Sequence, residues 1–151
     1  MKLSQDALNE WLSQPGPLNL VCHDLSNLSF ENATLASANF SGSNLIHSIF
    51  TGADLRKAKF DKAHMQDAHM QGANLENASL VGAHLEGADL RGANLVNANL
   101  RNAHTDGAKF DGARLDGAIM PNGSRVKNPA KSNSIRRPSS PLPRLGTSPL
   151  G

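Results

Sequence analysis

Every fifth residue from Phe30 to Met120 is large and apolar, with Thr105 the single exception in nineteen positions. The series is Phe30, Leu35, Phe40, Leu45, Phe50, Leu55, Phe60, Met65, Met70, Leu75, Leu80, Leu85, Leu90, Leu95, Leu100, Phe110, Leu115 and Met120. Two positions before each stands Ala in sixteen of nineteen units, the exceptions being Leu28, Ser43 and Ser48; two positions after stands Gly or Asn in fourteen. Neither regular element accommodates this. On a helix, residues two apart lie about 200° around the axis, so Ala and Leu do not share a face. On a continuous strand they share a face, but a step of five reverses parity and sends alternate large residues to opposite sides. The chain therefore has to bend within each unit, and Gly and Asn, which tolerate tight or left-handed backbone, recur where the bend falls. The expected fold is a coil of short extended pieces and corners, with Ala and Leu pointing to its axis and amides pairing between successive coils as in a parallel sheet.

Units such as Ala73-Asn74-Leu75-Glu76-Asn77, Ala88-Asp89-Leu90-Arg91-Gly92 and Ala93-Asn94-Leu95-Val96-Asn97 resemble the pentapeptide repeat family, whose consensus is Ala-(Asp/Asn)-Leu-X-X. The resemblance covers residues 28–122. It implies an all-β fold, a right-handed quadrilateral β-solenoid with four units per coil, hence about 4.75 coils from nineteen units. At ~4.8 Å per rung such a rod is about 23 Å long. Residues twenty apart then stack, Phe30 under Phe50 and Phe40 under Phe60 on the opposite side. Thr105 puts a hydroxyl at a core position, where burial without an acceptor costs about 1–3 kcal/mol.

A solenoid end exposes apolar side chains and unpaired amides, so it needs a cap. Leu3, Ala7, Leu8, Trp11 and Leu12 fall at helical spacing, Ser4 can serve as N-cap, and Pro15-Gly16-Pro17 stops the run. Residues 1–17 are thus expected to be a capping helix and turn, with Trp11 buried in the cap. Residues 18–123 form the solenoid, and 124–151 a disordered Pro/Ser/Lys/Arg-rich tail. Met120-Pro121-Asn122-Gly123 reads as a turn leaving the coil, with no lid at the C-terminal edge. The net charge of +2 divides unevenly. Residues 1–27 and 28–120 each net −2, and 121–151 carry Arg125, Lys127, Lys131, Arg136, Arg137 and Arg144 with no acid. Such a tail suits weak contact with an anionic surface. Arg136-Arg137-Pro138-Ser139 also has the letters of a basophilic kinase site. No apolar run approaches the ~20 residues of a transmembrane helix, and the N-terminus lacks a secretory pattern; the expectation is a soluble, cytoplasmic protein.

Candidate chemistry is sparse. One cysteine, Cys22, excludes an internal disulfide framework. Cys22-His23-Asp24 holds the letters of a nucleophilic site, but adjacent residues on an extended chain point apart. No catalytic residue, cofactor or small-molecule substrate is expected, since a filled core leaves no concave pocket. His64, His84 and His104, spaced by twenty, should stack outward above Asn44, with Glu86 and Asp106 on the same side. Neighbouring imidazoles and a carboxylate could share a divalent metal; the same column equally suits an ordinary polar ladder, because equivalent positions take Asp, Asn, Ser or Lys.

The resemblance also brings functional expectations. The best understood members mimic B-form DNA and bind type II topoisomerases such as DNA gyrase, which requires an acidic rod. Here Asp54, Glu76, Asp89 and Asp116 alternate with Arg56, Lys59, Arg91, Arg101 and Arg114. The leading expectation is a non-enzymatic scaffold presenting flat polar faces to a protein partner, with Ile46, Ile49, Val81, Val96 and Ile119 as outward apolar spots. Ile46 and Ile49 mark the first surface to test, beside Ser43 and Ser48. Repeats this dense are familiar from bacteria. Partner, pathway and oligomeric state stay open at this level.

Overall fold

The structure is a computed structural model that describes residues 2–127. The basic positions Lys131, Arg136, Arg137 and Arg144 and the Arg136-Arg137-Pro138-Ser139 motif lie outside the described residues.

From Cys22 to Gly117 every fifth residue has a positive φ. Nine of these twenty corners are Gly and five are Asn; Cys22, Ser37, His47, Lys57, Lys62 and Asp67 fill the other six, with φ of 56° to 65°. Each corner turns the chain, and parallel bridges join residues twenty apart, from Asn19↔Asn39 to Asn99↔Ile119. Four five-residue sides therefore close one coil of a β-solenoid. The bridges are isolated single pairs and not extended strands, because each side straightens for only two or three residues before the next corner.

One unit accounts for all five of its amides. Ala73 N–H donates to Met70 O at 3.1 Å, closing the preceding corner, and Asn74 N–H reaches down to Ala53 O at 2.9 Å. Leu75 and Asn77 N–H reach up to Asn94 O at 2.7 Å and Val96 O at 3.0 Å. The fifth, Glu76 N–H, donates to Asn74 Oδ1 at 3.2 Å. The Asn or Asp before the central residue thus supplies the acceptor that the ladder lacks, leaving no backbone donor unpaired.

The core is a solid column. Central residues from Leu20 to Leu100 are at most 2% exposed, and the Ala two positions before them are buried from Ala38 on. Phe30 stacks on Phe50 at 4.5 Å and Phe40 on Phe60 at 4.9 Å, while rings on opposite sides meet edge to face at 5.6 to 5.8 Å. Ser43 and Ser48 stand in alanine positions and are fully buried, their hydroxyls donating to Leu20 O and Leu45 O. Phe110, Leu115 and Met120 depart from the expected core set: they are only half-buried, since no further coil covers them among the described residues. Thr105 is likewise part-exposed, so the burial penalty expected for its hydroxyl is largely avoided.

The two ends differ. Helix α1, Gln5–Leu12, starts at Ser4, whose side chain accepts from Ala7 N–H, and it seats Leu8 fully in the core. Leu3 pairs with Asp24 O at 3.0 Å beneath the first coil. Beside it the Gln5 amide copies a strand, accepting from Ser29 N–H at 2.8 Å and donating to Ser29 O at 3.0 Å. Trp11 is half-buried against this cap. At the other end the turn at Pro121-Asn122-Gly123 does not leave the coil as expected. Gly123, at φ 87°, reverses the chain, Ile119 bridges Arg125 antiparallel, and Val126 exchanges hydrogen bonds with Gly117 and Ala118. Ser124–Val126, expected to begin the tail, belong to the folded body.

The corners generate a paired test. Lys57 holds a left-handed φ of 61°, which costs a side-chain-bearing residue about 1 kcal/mol, whereas Lys59 sits on the side that follows this corner, outside the left-handed region. Lys57→Gly should stabilise the fold by about 0.5–1 kcal/mol, and Lys59→Gly should destabilise it by a similar amount. Urea denaturation of both variants checks the opposite signs.

Candidate functional site

Two rows of side chains face outward on each side, one before and one after the central residue. Many of the Asn and Asp residues before the centre are committed to the corner: Asn39, Asn44, Asp54, Asn74, Asp89, Asn94 and Asn99 each accept from the amide two positions on. The recurring Asn or Asp at that place is the sign in the sequence of this backbone role.

One column differs. The side holding Leu45, Met65, Leu85 and Thr105 carries Asn44, His64, His84 and His104 in sequential parallel bridges. The imidazoles stack within 2° of parallel, His64 to His84 at 4.9 Å and His84 to His104 at 4.5 Å. Glu86, in the adjoining column, reaches His84 Nδ1 with one oxygen at 3.7 Å. Its other oxygen, Oε1, is buried without a hydrogen-bond partner, as is Gln66 Oε1 one rung below. Donor atoms of His84, Glu86 and His104 lie within 4.8 Å of one another; His64 stays in the stack outside this triplet, and Asp106 is exposed and does not join.

The other candidates do not converge. Cys22 is exposed at a corner, His23 Nδ1 lies 2.9 Å from Val21 O with its ring edge-on to Trp11, and Asp24 accepts from Ser26. Ile46 and Ile49 are both part-exposed, Ile46 at the corner after Leu45 and Ile49 on the next side, bridged to Ser29 and His69. Val81, Val96 and Ile119 are also part-exposed, and Val21, at 37%, is the large apolar residue most open to solvent among those described. A surface recess of about 310 Å³ is lined by Ala36, Ser37, Arg56, Lys57, Glu76 and Asn77, all corner residues on three successive coils. It is a groove along an edge and lies outside the core.

In two units an acid and a base are paired directly. Arg56 closes a two-point contact on Asp54 at 2.8 and 2.7 Å, and Arg91 repeats it on Asp89 at 2.8 and 2.6 Å. Asp89 is buried and also accepts from Gln71 Nε2 at 2.9 Å. The Arg91 guanidinium hydrogen-bonded to it outweighs the cost of burial and holds the Asp89 carboxyl at about 2. In the unfolded chain an aspartate titrates near ~3.9, so this stabilisation is complete above that pH and is lost as pH falls toward about 2. Arg91 is half-exposed, so solvent screening keeps the expected loss of stability in Arg91→Ala small at pH 7. The difference from wild type should shrink toward zero near pH 2, as measured by chemical denaturation across that range.

No helix among the described residues is long and apolar enough to cross a membrane. No curated protein matches the chain. Among solved structures it is similar to the pentapeptide repeat protein Rfr23 from the cyanobacterium Cyanothece 51142, at 35% identity over 69% of this chain and 68% of that one, TM-score 0.37. A pentapeptide repeat protein of the Arabidopsis thaliana thylakoid lumen is 31% identical over 75% and 73% of the two chains, TM-score 0.43. QnrB1, a plasmid-mediated fluoroquinolone resistance protein, is 18% identical over 69% and 70%, TM-score 0.31. The family model for pentapeptide repeats matches in eight copies over residues 24–67, 68–104 and 85–122. With a five-residue period and corners to match, the chain belongs to the pentapeptide repeat family.

Proposed function

We propose that this chain is a non-enzymatic interaction scaffold of the cytoplasm, a rigid right-handed quadrilateral rod of about 4.75 coils that offers a flat side to a protein partner. The observation that carries this reading is the solid core. Side chains from Leu20 to Leu100 fill the axis with at most 2% exposure at the central positions, so recognition is left to the outer surface. A backbone pinned at every corner holds outward side chains in fixed columns, which lowers the ordering cost of binding. Residues 18–123 are the scaffold unit in this reading and residues 1–17 its cap, while the basic positions from Arg125 on supply weak attraction to an anionic surface.

The partner-facing surface we propose is the one around Ile46 and Ile49. Both are part-exposed, flank the exposed corner residue His47, and stand where the polar columns are interrupted by two β-branched apolar side chains. The DNA-mimic reading has less support. A topoisomerase would need rows of uncompensated carboxylates, and Asp54 and Asp89 are each neutralised by an arginine of the same unit. Replacing both isoleucines, Ile46→Asp with Ile49→Asp, should abolish capture of the protein that wild type retains from extracts of the native host, with an unchanged far-UV spectrum. Capture that persists in the double variant places the contact on another side, and equal loss on removing residues 128–151, which leaves the paired segment 124–126 in place, assigns it to the tail.

A further inference from the structure

The His84, Glu86 and His104 cluster is used neither by the core nor by the Ile46/Ile49 surface. Their donor atoms fall within 4.8 Å of one another across two rungs. Two independent features separate it from an ordinary polar ladder. The three imidazoles are in file, within 2° of parallel, so their ring nitrogens repeat one rung apart on a backbone fixed by the His64↔His84 and His84↔His104 bridges. In the column beside them two oxygens, Glu86 Oε1 and Gln66 Oε1, are buried without a donor. An unmet buried acceptor is costly, and a cation is the group that satisfies a carboxylate and neutral imidazoles together.

We propose that His84, Glu86 and His104 form a binding site for one divalent transition-metal ion of the zinc class. Zinc takes imidazole nitrogen at about 2.0–2.1 Å and carboxylate oxygen at about 2.0–2.2 Å, so donors around one tetrahedral ion stand about 3.3 Å apart. Closing from 4.8 Å requires a movement of about 1.5 Å, within reach of side-chain rotation alone. His104 is exposed and His84 half-exposed, so both rings are free to turn. That rotation also takes the lone pairs out of parallel and points them at a common centre. Three protein donors leave the fourth position of a tetrahedral ion open, to water or to a donor brought by a bound molecule. His64, 4.9 Å from His84 in the stack, is the nearest further imidazole of the file.

Titrating Zn²⁺ alone into the full chain, by calorimetry and by imidazole NMR, tests the site. The column itself supplies a tolerated replacement, since Asn44 occupies it one coil below His64; His84→Asn and His104→Asn should therefore keep the fold, and circular dichroism verifies this. One ion per chain is expected, with the shifts confined to the ladder. Affinity should weaken roughly tenfold or more in His84→Asn, His104→Asn and Glu86→Gln and stay unchanged in His47→Asn and His69→Asn. An absence of imidazole shifts overturns the proposal. So does an unchanged affinity in any of the three site variants, or an equal weakening in His47→Asn, which would mark scattered surface coordination.

Discussion

A left-handed backbone step at every fifth residue is the constraint on which this architecture rests. With no such step the chain would run on as a strand, and the five-residue spacing of large side chains would scatter them over both faces. With it, each side is short, each corner is fixed, and every central residue returns to one axis. The step is unfavourable for most side chains, so it persists because the stacked coils over-determine it. Lys57 and Lys62 occupy left-handed corners among coils whose core is phenylalanine and leucine at full burial. Packing there supplies what local preference withholds.

The same geometry governs what the surface can do. In much of the chain the residue before each central position is an Asn or Asp spent on the amide two positions on, and the arginine after it is often spent in turn on that carboxylate, as at Asp54–Arg56 and Asp89–Arg91. A surface that looks variable in sequence is therefore partly occupied with holding its own corners. The histidine column is distinct because an imidazole there makes no such turn contact, leaving its ring nitrogens to face their neighbours.

The period was legible because it admits one solution: neither a helix nor a strand accommodates two apolar positions in five. Stacking of His64, His84 and His104 followed from a spacing of twenty together with the four units per coil that the family resemblance implies. Other features were hidden because they depend on side-chain reach across the fold. Gln5 is an ordinary helix residue in sequence, and only the docked helix places its amide against Ser29, twenty-four positions away. Ser124-Arg125-Val126 has the composition of a tail, yet the reversal at Gly123 lays it against Gly117–Ile119. That Glu86 meets the histidines while Asp106 does not reflects the longer glutamate side chain and the lack of a further coil above Asp106 among the described residues.

The ends give the rod a polarity. Its lower rim is sealed by Leu3, Gln5 and Leu8, whereas on the upper rim the amides of Thr105, Gly107, Phe110, Gly112 and Leu115 have no backbone acceptor among the described residues. In a stack where each coil touches only its neighbours, cohesion is a sum of nearest-neighbour terms, so the weakest link is the last one. Opening should then travel as an unzipping front that starts at the upper rim and moves toward the helix, with amide protons of the final coil exchanging first and those beneath Phe50 and Phe60 last.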